Sequence, residues 1–165
     1  MFGLRAVLLA LVAAVSLSVA TPAGAVEAIN VPLDVSALDL THAVEMRANV
    51  GDRLQVSTAP GADGIVRRIE VRASQAGDTD WVVFALKNNT DEQIDRLLVA
   101  PFFRLADSGV LNPDLGTSRI ASISTSQGLT PERQANAEAD VFLLTLDPRS
   151  VVTVVLELKS SKLPK

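Results

Sequence analysis

The sequence has no cysteine and no tyrosine, and only one histidine and one tryptophan. Without cysteine there is no disulfide, no thiolate nucleophile and no thiolate-bound metal. With His42 as the sole imidazole, a histidine-rich zinc or iron site is excluded too. No metal or cofactor is expected. Positive charge is also scarce, with fifteen Lys and Arg against nineteen Asp and Glu. Phosphate contacts supply most nucleic-acid affinity, so an acidic chain without a basic stripe is not expected to bind nucleic acid. The same balance disfavours an anionic membrane surface.

One long apolar run exists, at the start. Arg5 gives it a short positive flank, and apolar residues run from Ala6 to Val15 and on through Leu17 and Val19. Thr21 and Pro22 end the run, and Ala23-Gly24-Ala25 supplies the small-x-small pattern that a signal peptidase accepts. An apolar stretch of about fifteen residues falls short of the ~20 needed to span a bilayer. Residues 1–25 are therefore read as a cleaved secretory signal, and 26–165 as a mature periplasmic domain with no membrane span. The 165-residue chain then keeps 140 residues, with fourteen Lys and Arg against nineteen Asp and Glu, a net charge of −5. A chain of that length buries about two thirds of its unfolded surface and stands without staples.

The mature part alternates short apolar runs with turn clusters, the pattern of an all-β sandwich or barrel. Arg67 to Ala73 alternates strictly and predicts a strand with one wet face. Trp81 to Leu86 is apolar on both faces, which predicts a central strand with Trp81 in the core, and Arg96 to Phe103 is its expected hairpin partner. Further strands are expected at 29–35 (an edge blunted by Pro32), 53–58, 119–124, 140–146 and 151–158, about eight in all. Pro60 to Gly64 and Asp147 to Ser150 read as turns. Thr130-Pro131-Glu132 carries a helix-start signal, for a turn or two to about Ala137 or for plain loop.

Catalytic groups are sparse. No nucleophile elbow, phosphate-cradling loop or calcium loop occurs. His42 reads as a surface residue beside Thr41. The carboxylate pairs Asp78/Asp80 and Glu138/Asp140 are of the kind that sugar hydrolases use, but they fall in turn-like segments before strands, where solvated Asp is common. Asn88-Asn89-Thr90 fits a glycosylation sequon, which a bacterial-looking signal makes idle. Phe102 and Phe103 are adjacent, so one ring points away from the core, and Arg104 beside them offers a guanidinium. Phe102, Phe103 and Arg104 are the candidate ligand contacts.

Asp78 to Leu105 resembles the extracytoplasmic jelly-roll domain of bacterial seven-transmembrane receptors with diverse intracellular signalling modules. The pattern is Trp81, Phe84, Leu86, Asn88 or Asn89, and Thr90, followed by a Leu/Val strand at Leu97 to Val99. Leu144, Leu146, Pro148 and Val152 to Leu158 look like the family's closing hairpin. The resemblance implies an antiparallel, jelly-roll-like β-sandwich that senses a small molecule or carbohydrate and signals through a membrane protein. The chain looks most like the sensor ends of cyclic-di-GMP synthases and phosphodiesterases. It ends at Lys165, which is read as either a fragment of such a receptor or a free periplasmic relative. The competing reading is a structural protein pairing with an envelope partner, and a carbohydrate-active enzyme comes third.

Overall fold

A computed structural model describes residues 24–49, 51–74, 79–102 and 118–160. Among the described residues ten strands and no helix occur, so the fold is the all-β sandwich expected. The strands are β1 (Ala28–Asn30), β2 (Glu45–Asn49), β3 (Arg53–Ser57), β4 (Arg68–Arg72), β5 (Thr79–Lys87), β6 (Ile94–Pro101), β7 (Ser118–Thr125), β8 (Glu132–Gln134), β9 (Ala139–Leu146) and β10 (Val151–Ser160).

The both-faces apolar pattern of β5 dictates the architecture. Val82, Phe84 and Leu86 face one core, while Trp81, Val83 and Ala85 face a second. β10 divides its residues in the same way, with Val152, Val154 and Leu156 on the first side and Val155 on the other. A strand pair that is apolar on both faces needs two covers. β5 and β10 therefore form the middle of a central sheet, in the order β1-β5-β10-β7 with β2 also on β5. One cover is the outer sheet β6-β9-β8, and the other is the β3–β4 hairpin. All pairings in the central sheet are antiparallel except β1 on β5.

The hairpin confirms the strict alternation read at 67–73: Val71 is buried while Arg68, Glu70 and Arg72 are exposed. Its turn places Gly64 at φ 74°, a conformation that costs a residue with a Cβ about 1–2 kcal/mol. Two polar residues of β10 dock the hairpin. The Thr153 hydroxyl accepts from the Ala59 N–H at 2.9 Å. Buried Glu157 accepts from the Ser74 N–H and hydroxyl and from the Ser122 hydroxyl at 2.6–3.0 Å.

Four expectations need correction. The segment after β5 is not its hairpin partner. β6 pairs with β9 in the outer sheet, because β5 already has β10 on one side and β1 and β2 on the other. Nor do β9 and β10 close a hairpin: the turn between them is a corner from the outer sheet to the central one. The helix signal at Thr130 is overridden by pairing, since Glu132, Arg133 and Gln134 add to the edge of β9 as β8. The expected edge strand at 29–35 ends at Asn30, and the chain then leaves the sheet at Pro32.

The two corners are pinned together by Asn88, a side chain with no exposed surface. Its amide nitrogen donates to the carbonyls of Glu92 (2.7 Å), Asp147 (3.0 Å) and Leu146 (3.2 Å). Its amide oxygen accepts from the Thr90 N–H and hydroxyl. In the second corner Arg149 has φ 53°, a strained position for a residue other than glycine. Its N–H bonds the Thr90 carbonyl at 3.0 Å, and its guanidinium pairs with Asp91 at 2.7 Å.

Candidate functional site

After Asn30 the chain crosses the open side of the sandwich as a flap, residues 31–40. Its ends are fixed. The Val31 N–H bonds the Lys87 carbonyl, and the Leu40 carbonyl accepts from the Ala43 and Val44 N–H groups. Val31 and Leu40 are buried, whereas 33–38 are exposed. Facing the flap is β6, an edge strand that pairs only with β9 among the described residues. Between the two lies a groove of about 480 Å³. Its floor is the main core itself: Val31, Leu40, Leu86, Leu98 and Leu144. Pro32 to Leu38 form one wall and Asp95 to Val99 the other. Leu33, Val35, Leu38 and Leu97 leave large apolar surfaces exposed about this site, with Leu97 58 % exposed. A contiguous apolar patch beside a concavity marks a recognition surface.

Arg96 is the cation of the groove. Its Nη2 donates to the carbonyls of Pro32 (3.0 Å) and Leu33 (3.2 Å), and its Nη1 donates to the Asp95 carbonyl (2.9 Å). The guanidinium thus ties the flap to the strand it covers. Asp95, on the same wall, accepts from the Thr145 hydroxyl at 2.7 Å. Two other hollows, by Arg47 and Arg68 and by Lys87 and Arg149, are more open and more polar.

Of the candidate contacts read from the sequence, Phe102 lies at the end of β6, and Phe103 and Arg104 lie outside the described residues. Phe102 is half-buried, and its N–H bonds the Glu138 carbonyl at 2.8 Å. Its ring is covered by the Arg119 guanidinium, 3.3 Å from the centroid. Arg119 in turn pairs with Asp140 at 3.2 Å, and Arg133 meets the same carboxylate at 2.6 Å. Arg133 also lies over the Phe142 ring at 4.5 Å and donates to the Ile120 carbonyl.

This cluster corrects the reading of Asp140 as a solvated loop charge. It is 3 % exposed, within β9, and bonded to the Ile120 N–H at 2.9 Å. Burial opposes its charge, but the bonds from Arg119, the Ile120 N–H and Arg133 outweigh that and hold its pKa below the ordinary carboxylate value. The cluster ties β7 of the central sheet to β9 of the outer one. Asp80 lies in β5 and is exposed, Glu138 is exposed, and Asp78 is outside the described residues. His42 is exposed, as expected. Trp81 is fully buried, so it is core and no stacking platform; its indole N–H finds no acceptor among the described residues. Asn88 is enclosed, which removes it as a glycan acceptor.

A β-sandwich with one open, apolar, charged-lipped side has the build of a recognition domain. The chain belongs to the 7TMR-DISM extracellular 2 family, which matches residues 42–163. That is a family of extracellular domains of seven-transmembrane receptors, so the chain is an extracellular sensor domain that acts outside the cytoplasm. No curated protein and no solved structure matches the chain.

Proposed function

We propose that residues 26–165 are the periplasmic ligand-sensing domain of a bacterial receptor, exported by a signal removed after Ala25. The groove between the flap and β6 is the seat of its small-molecule ligand. The observation that carries this reading is the groove's construction, an opening floored by the core and closed by a flap held at its ends and by one arginine. Occupancy there alters the flap, and the flap is continuous with the central sheet through β1. The chain's likeness to the sensor ends of cyclic-di-GMP synthases and phosphodiesterases favours an output module of that chemistry. A thermal-shift panel of metabolites tests the seat. A ligand that raises the melting temperature should lose its effect in Ala37→Trp, where an indole fills the groove.

A second seat is the end of β6, at Phe102, Phe103 and Arg104. Arg119 and Arg133 share the single carboxylate of Asp140, which leaves a net positive charge beside Phe102. An aromatic and cationic site of this kind suits an acidic carbohydrate. On this reading Arg104→Ala weakens ligand binding by about 1.5–3 kcal/mol, the worth of a charged hydrogen bond. Calorimetry with the panel's best sugar checks it.

A further inference from the structure

The lining of the groove restricts what it can hold. Among the described residues its lining has no aromatic ring for a sugar to stack on, and a single hydroxyl, that of Ser36. Away from Asp95 and Arg96, sugar hydroxyls buried there would lack partners, whereas alkyl groups would meet alkyl walls. A volume of about 480 Å³ suits a small ligand.

Arg96 adds a requirement for charge. Arg119, Arg133 and Arg149 are each paired with a carboxylate. Among the described residues none pairs with Arg96, whose partners are three neutral carbonyls. A guanidinium has five N–H donors, so two remain open. Asp34 on the flap is exposed, and Asp95 is turned to Thr145. A half-buried cation without a counter-ion, at an alkyl groove, is complementary to a molecule with an acid head and an aliphatic body.

We propose that the groove takes an amphipathic carboxylic acid, its chain on Leu40, Leu86, Leu98 and Leu144 and its carboxylate on Arg96. This rests on the groove being the ligand seat. A carboxylate offers a guanidinium two parallel acceptors and an opposite charge, which a carbonyl does not. The head therefore draws Arg96 from the Pro32 and Leu33 carbonyls and releases the flap. The flap precedes the span matched to the family, residues 42–163.

Calorimetry on the exported chain with decanoate and decanol, below their aggregation limits, tests this. Decanoate should bind at least tenfold more tightly than decanol. Arg96→Gln should bring decanoate to the level of decanol, and Arg96→Lys, which keeps the charge, should preserve the preference even if Arg96→Gln fails to fold. Protease cleavage within 32–39 should quicken with decanoate. Equal affinities, or indifference to the loss of charge, overturn the acid class while leaving the groove as the seat. Absence of binding by either probe overturns it as well. Decanoate binding that survives Ala37→Trp overturns both this proposal and the groove reading.

Discussion

Asn88 donates to three carbonyls in two corners, its own and one that lies 58–59 residues further along the chain. Replacing it with Ala takes the side-chain partner from the Leu146 carbonyl and from the Thr90 N–H, while the Glu92 and Asp147 carbonyls keep the Thr90 and Ser150 hydroxyls. Buried unsatisfied groups cost about 1–3 kcal/mol each. Asn88→Ala should lower unfolding stability by about 3 kcal/mol in urea titration, with some of the loss relieved by water. Asn89→Ala, next door and exposed, should cost about 0.5 kcal/mol or less. Asp140 makes the second prediction. Its folded pKa is depressed, so its contribution is present above about pH 4 and is lost as pH falls through the folded value. Stability measured between neutral and acidic pH should therefore fall less steeply in Asp140→Asn than in the natural chain. Asp140→Ala should cost about 1–3 kcal/mol at neutral pH, because it leaves the buried Ile120 N–H without this acceptor, while the two half-exposed arginines turn to water. Neither role was legible in the sequence. An Asn after a strand reads as a turn former, and an Asp before an apolar run reads as solvated. Their meaning comes from partners such as Leu146 and Arg119, which are distant in sequence.

Among the elements, strands whose pattern matched their burial were readable. β4 alternates because one face packs and one is wet, and β5 is apolar throughout because it has a cover on each side. β2 escaped because its pattern is inverted: Met46 and Ala48 are exposed, while Glu45 and Arg47 are half-buried and pair with each other at 2.6 Å. β8 was misread because Thr-Pro-Glu is a local helix signal, and local signals yield to tertiary pairing. Which strands neighbour which was not legible either, since a turn after β5 can lead to the same sheet or to the opposite one. Glu157 gives this scale its prediction. It docks the β3–β4 layer, so Glu157→Ala should cost about 2–3 kcal/mol, the worth of a charged hydrogen bond. It should also shift Trp81 fluorescence to the red, because that ring lies under the hairpin. Unchanged emission with full loss of stability would place the disturbance elsewhere.

At the scale of the whole molecule, the sandwich was legible and the groove was not. Residues 29–35 read as an edge strand blunted by Pro32, and only the path of the backbone makes 31–40 a flap. If Ala25 is the processing site, the intact mass of the exported protein should correspond to a start at Val26, a residue buried in the second core. The central claim is that this domain senses a small molecule in the groove between the flap and β6. Methyl NMR of the exported chain, titrated with the strongest ligand of the thermal-shift panel, tests it most directly. The methyl signals of Leu38, Leu97, Leu98 and Leu144 should move together and saturate, while those of Val56 and Val71 under the hairpin stay in place. Shifts confined to the hairpin layer, or to the β6 end around Phe102, would contradict it.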